Sequence, residues 1–110
     1  MMLLIDSASR QLLMSNGRSL EGDHKPVVKI FNPTGSQTWL IAEMDRDGDT
    51  LFGLADLGMG EPEMGYISLA ELLDVSRRLP IGLECDLSFK ATKSLSEYAR
   101  EARAACRIVA

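Results

Sequence analysis

The chain predicts a single α+β domain spanning residues 1–110: an antiparallel or mixed sheet of four to five strands with about three helices, in the order α-β-β-β-β-α-β-α. Three observations predict it. Residues 39–89 break into short apolar runs separated by turn residues, which is how strands are written. Two Ser-x-x-Glu sequences, at residues 68–71 and 94–97, each open a stretch with apolar residues at helical spacing. A chain of 110 residues can bury roughly 65% of its unfolded surface in one core. Helices gathered on one face of the sheet would complete a two-layer domain.

The elements follow in order. Asp6 can cap a helix over residues 7–15, and Asn16-Gly17 supplies a stop because both residues tolerate positive φ. Residues 18–25 are polar and read as a loop. Pro26 leads into a β-branched and aromatic strand at 27–31, and Asn32-Pro33-Thr34-Gly35 fits a type I turn into a second strand at 38–44. Asp47-Gly48 between apolar runs marks a hairpin into a third strand at 50–54. A Gly-rich acidic loop at 58–65 precedes a short fourth strand at 64–67. The first capping box opens a helix whose inner stripe is Leu69, Leu72, Leu73 and Ser76, and Pro80 ends it. Residues 83–90 alternate, with Leu83, Cys85, Leu87 and Phe89 on one side of a half-buried strand. The second capping box opens a helix with Leu95, Tyr98, Ala99, Ala102 and Cys106 on one stripe.

Composition narrows the function classes. Aromatic residues are 5% of the chain, so the core must be mostly aliphatic. The two cysteines do not make a disulfide framework. Residues 1–5 are too short for a secretory h-region and lack a basic lead, and no apolar run approaches a membrane span. A reducing, bacterial-type cytoplasm is the expected setting. The net charge of −4 is unevenly spread. Residues 31–75 hold nine acids against Arg46 alone, whereas residues 76–110 hold seven bases and four acids. The middle of the chain repels polyanions and the last third mildly attracts them, so direct nucleic-acid binding is not expected.

Motifs for chemistry are weak. Asp45-x-Asp47-Gly48-Asp49 resembles a calcium loop, but an EF-hand needs Gly at position 6 and Glu at position 12; here Gly stands at position 4 and Asp56 at position 12. The glycines at 58, 60 and 65 are interleaved with Glu61 and Glu63, which oppose a phosphate. His24 is the only histidine and reads as a solvated loop residue. One His and two separated Cys offer no zinc spacing; Cys85 and Cys106 read as packing residues. No catalytic residue, cofactor or metal is assigned. Trp39 reads as core, with Tyr66 left between core and contact roles.

These stretches together resemble a known family. L-L-I-D-S-A-S-R-Q-L-L-M-S-N-G, P-V-V-K-I-F-N-P, T-W-L-I-A-E-M-D, L-F-G-L-A-D-L-G, E-P-E-M-G-Y-I-S-L-A-E-L, C-D-L-S-F-K and S-L-S-E-Y-A-R cover nearly the whole chain. The combination of W-x-x-x-E-x-D, F-G-L and G-Y-x-S-L-x-E-L is similar to a domain-of-unknown-function family of small bacterial proteins encoded on plasmids, phages and other mobile elements. The resemblance implies an α+β fold and a mobile-element setting, and it brings no catalytic residues. Where that family typically has G-L-P-I-E-R-D-L, this chain has L-P-I-G-L-E-C-D-L, with Cys85 in place of Arg.

The expected function is therefore that of a non-enzymatic interaction protein whose acidic middle meets a basic, nucleic-acid-handling protein. The expected contact residues are Glu43, Asp45, Asp47, Asp49, Asp56, Glu61, Glu63 and Tyr66. Two alternatives stand beside it. One is a nucleic-acid-associated module using Arg77, Arg78, Lys90, Lys93, Arg100, Arg103 and Arg107; the other is a small hydrolase or transferase using a pair of carboxylates.

Overall fold

The computed structural model describes residues 4–20 and 22–110. The first three residues of the N-terminal run and Glu21 in the first loop lie outside the described residues. The elements are α1 (Ser7–Arg18), β1 (Val28–Phe31), β2 (Thr38–Met44), β3 (Thr50–Asp56), β4 (Glu63–Ser68), α2 (Leu69–Arg78), β5 (Glu84–Cys85) and α3 (Leu95–Ala105). Their order is the expected one. All five strands pair antiparallel in the spatial order β4-β3-β2-β1-β5. Tight turns join β1 to β2 and β2 to β3, and a loop over residues 57–62 leads into β4. Asn32 C=O accepts from Gly35 N–H at 3.2 Å, and Asp45 C=O accepts from Gly48 N–H at 3.0 Å, with Gly48 at φ 71°.

The strand β2 decides the layering. Trp39 and Ile41 pack into one core with Val28, Ile30, Leu51, Leu13 of α1 and Leu72 of α2. Leu40 and Ala42, which point the other way, pack into a second core with Leu54 and with Leu95, Tyr98, Ala99 and Ala102 of α3. Residues 39–42 are all buried, as in a strand covered on both faces. The helices, expected on one face, therefore divide between two: α1 and α2 lie on one side and α3 on the other. Trp39 is a core residue, as its sequence context implied.

One irregularity sets the register. The pairing of β2 with β3 runs Ile41 to Gly53 and then Glu43 to Phe52, leaving Ala42 as an extra residue in a β-bulge. Period-two alternation from Ile41 would send Glu43 into the first core and Met44 out of it. The bulge reverses this, so Met44 is buried and Glu43 stands beside Phe52 on the other face. The Ala42 carbonyl accepts from the Asn16 side-chain amide at 2.9 Å. A Cβ on Gly17 would come within 2.2 Å of the Met44 carbonyl oxygen. Asn16-Gly17 thus does not stop α1, which continues to Arg18. It lets the helix lie against the bulge.

The last strand is shorter than its alternation implied. β5 holds only Glu84 and Cys85, paired with Phe31 and Ile30. Asp86 then accepts from the Ser88 N–H and hydroxyl, and its carbonyl accepts from Phe89 N–H. This Asx turn competes with the ladder and wins. Leu87 is left exposed, and Phe89 crosses to the α3 core while Cys85 stays with the first. Burial raises the Cys85 thiol above its ordinary value. Cys106, expected on the helix stripe, is instead the exposed residue that ends α3 in the left-handed conformation, at φ 60°.

Two substitutions test the bulge. Gly17→Ala forces a methyl against backbone and is expected to destabilise the fold by about 1–3 kcal/mol. Asn16→Ala leaves the Ala42 carbonyl unpaired in a half-buried position and is expected to remove about 1 kcal/mol. Urea unfolding followed by tryptophan fluorescence measures both; unchanged midpoints in both variants would remove the helix–bulge contact from the account.

Candidate interaction surface

The expected contact residues fall at the two ends of β3. Glu43, Asp45, Asp47 and Asp49 surround the β2–β3 turn, whereas Asp56, Glu61 and Glu63 flank the β3–β4 loop. Seven residues of strand separate them, about 20 Å at 3.3 Å per residue. They do not form one continuous group.

Three of the acids are engaged within the fold. Asp47 accepts from the Asp49 and Thr50 N–H groups, each at 2.8 Å, and from the Thr50 hydroxyl at 2.6 Å. Asp49 reaches α2 from twenty residues upstream: its carboxylate accepts from Ala70 N–H at 2.7 Å and the Ser68 hydroxyl at 2.9 Å, and its carbonyl accepts from Leu69 N–H. It satisfies helix N-terminal donors that the Ser68 box alone would leave open. Asp56 is buried, and its two oxygens accept from Gly58 N–H and Ile108 N–H, both at 2.9 Å. Its expected place on a contact surface is corrected, since it fastens the segment after α3 to the sheet.

The others face outward. Glu43, Glu61 and Glu63 make no ion pair or side-chain hydrogen bond among the described residues, and Asp45 bonds only the adjacent Arg46 N–H. Tyr66 is 80% exposed, and its ring meets Phe52 edge-on at 5.3 Å. Pairing places Glu43, Phe52 and Tyr66 in one row across β2, β3 and β4, with Phe52 half-buried against the second core. Glu43, Asp45, Phe52 and Tyr66 line a shallow depression of about 180 Å³. Glu61, Glu63 and Met64 line another with Arg103 of α3. Cations are close to the turn as well: Arg18 and Arg46 border Asp45, and the Arg10 guanidinium lies against Gly48.

The bases of the last third are scattered. Arg77 and Arg78 pair with Asp74 on α2, and Lys93 pairs with Glu101 on α3. The hydrogen bond that Lys93 donates to the Glu101 carboxylate raises its ammonium above its ordinary value. α2 and α3 lie on opposite faces, so these residues share no strip. A depression of about 540 Å³ holds Asp56 and Asp86 with Lys29 and Arg107. Both Asp56 oxygens are taken, and hydrogen bonds from Ser88 hold Asp86 below the usual carboxylate range. Two-carboxylate hydrolysis needs the reverse, an acid raised towards neutrality. No group of three or more metal-ligating side chains occurs among the described residues.

His24 is not the solvated residue its neighbours implied. Its carbonyl accepts from Leu95 N–H, Asp23 accepts from the Ser96 N–H and hydroxyl, and its Nε2 is buried without a hydrogen-bond partner. Residues 23–24 thus hold the start of α3, a role that no local signal in that polar stretch announced. The free edge of β4 was likewise missed, because strand order is not written in any one segment.

Two measurements follow. Asp56→Ala strands two backbone donors and is expected to cost about 2–3 kcal/mol, with faster amide exchange at Ile108; an unchanged Ile108 rate would refute the tether. The second concerns acid. Asp6, Asp23 and Asp47 lie below their ordinary value of 3.8, chiefly through hydrogen bonds from Ser9 N–H, the Ser96 hydroxyl and the Thr50 hydroxyl respectively. Folded values below the unfolded ones mean that this stability is complete above the unfolded value and is lost as pH falls through the folded values. The urea midpoint should hold to about pH 5 and drop below about pH 4, less steeply in Asp47→Asn.

No helix among the described residues is long and apolar enough to cross a membrane. No curated protein and no solved structure matches the chain. A family model does, over residues 3–109, which takes in every helix and strand described above. The chain belongs to the family described as protein of unknown function DUF2958.

Proposed function

We propose that this protein works by contact with another protein, as a non-enzymatic accessory factor of a mobile genetic element in the bacterial cytoplasm, and that its partner is a basic, nucleic-acid-handling protein. The observation that carries the reading is Tyr66, an aromatic side chain with a polar tip, 80% exposed, with Glu43 and Asp45 beside it in one depression and Glu61 and Glu63 at the far end of β4. An amphipathic ring of this kind supplies contact area at small entropic cost. Carboxylates around it favour a basic partner, speed encounter and make the contact weaken with salt. The dispersal of the bases over opposite faces supports this reading over direct binding of nucleic acid.

Photo-crosslinking tests it. A photoreactive residue replacing Tyr66 should give an adduct with a basic, nucleic-acid-handling protein in the host cell. The same residue at Leu87, which is exposed at the opposite edge, should not. Glu61→Lys with Glu63→Lys, or raised salt, should reduce the Tyr66 adduct at least tenfold. An adduct formed equally from Leu87, or indifferent to charge reversal, ends the proposal.

A further inference from the structure

The outer edge of the sheet shows how such a partner would be held. β4 is the last strand on its side, and no strand among the described residues lies beyond it. Its pairing with β3 is regular over six positions, from Ser68 opposite Thr50 to Glu63 opposite Ala55. Leu69 N–H donates to the Asp49 carbonyl, one step past the Thr50–Ser68 pair. Bonded and non-bonded pairs alternate along an antiparallel ladder. Ile67, Gly65 and Glu63 therefore turn their backbone groups towards β3, and Met64 and Tyr66 turn theirs outward. Four backbone donors and acceptors stand open in a row.

Natural edges are usually blocked by charged side chains, lysine above all, or by proline, a bulge or a covering element, and β4 carries one charge, Glu63, at its first pair. β4 contains no lysine, proline or bulge; Pro62 stands just before its first pair. Met64 and Tyr66 are exposed, and a Cβ on Gly65 would meet nothing within 4 Å. The edge is open for an added strand. Charge selects what adds. A second copy pairing antiparallel through β4 would set the Glu61 and Glu63 end of one chain against the Glu71 end of the other, carboxylate against carboxylate. A basic segment meets complementary charge at both ends.

We infer that β4 takes up an extended basic segment of the partner protein as a sixth strand, bonded through the Met64 and Tyr66 backbone. This rests on the acidic-contact reading above and adds to it the mode of recognition. Side chains of the added strand that lie beside Met64 and Tyr66 would be apolar. Lysine or arginine elsewhere in the segment would reach Glu61 and Glu63 at one end and Glu71 at the other.

Amide hydrogen exchange on isotopically labelled protein tests it, with a capped synthetic peptide of alternating lysine and valine as the probe. Bound peptide should slow exchange at Met64 and Tyr66 by about tenfold or more and leave Gly65 and Ile67 near their starting rates. N-methylation of alternate peptide amides should abolish that protection. Tyr66→Pro removes an outward N–H and no ladder bond, so it should keep the fold and lose the peptide, whereas Tyr66→Phe should keep both. Salt-sensitive binding with Met64 and Tyr66 unprotected overturns the added strand and leaves the acidic contact standing. Protection that ignores salt and charge reversal overturns the basic occupant instead. Protection that appears without peptide at high protein concentration, with a doubled mass in sedimentation, replaces the partner segment by a second copy. No binding at low salt overturns the inference outright.

Discussion

The extra residue in β2 is the constraint on which the arrangement of this molecule depends. β2 is central, and both of its faces are apolar up to Ala42. Continued in strict alternation, it would turn the Glu43 carboxylate towards the apolar core beneath α1. Inserting one residue exchanges the two sides. Met44 then completes the core beneath α1, and Glu43 joins the row with Phe52 and Tyr66 on the other face. The disruption leaves a carbonyl with no partner in the ladder, and α1 supplies one from Asn16. Sheet register, helix docking and that row are therefore settled together, at one point in the chain.

Much of the architecture was legible because its signals are local. Asp47-Gly48 forces a hairpin whatever lies around it, and Ser68 and Ser94 announce helix starts that are found one residue later. The near-continuous apolar run of residues 39–42 also states that β2 is buried on both sides, although a one-faced sheet was expected from it. The failures are cases in which a side-chain hydrogen bond, distant or local, overrode the pattern. Asn16-Gly17 has the chemistry of a helix stop, but its amide is wanted by Ala42. Residues 83–90 alternate as a strand should, but Asp86 has a serine two residues on and folds back on it.

The acidic residues expected at a contact show the same division. Exposure of Glu61 and Glu63 follows from a glycine-rich loop that buries little. The employment of Asp49 at the N-terminus of α2 and of Asp56 beneath Ile108 depends on which elements lie beside those carboxylates, and sequence proximity hides it. An acidic stretch is thus a mixture: some of its charges complete turns and caps, and only the remainder is presented outward. Counting charge along the chain overstates the second group. The same count misses Met64, which becomes conspicuous only once β4 is known to be an edge.

α3 is fastened at both ends to parts of the chain remote in sequence. Its first turn is held by Asp23, 73 residues from Ser96, and the segment after its last turn by Asp56, 52 residues from Ile108. Neither fastening exists until the strands have brought those two aspartates to opposite ends of one sheet. Both fastenings close long loops, and pairing of the strands lowers the entropy cost of closing them. Release of either fastening would bare the apolar side formed by Leu40, Ala42 and Leu54, the kind of surface through which chains aggregate.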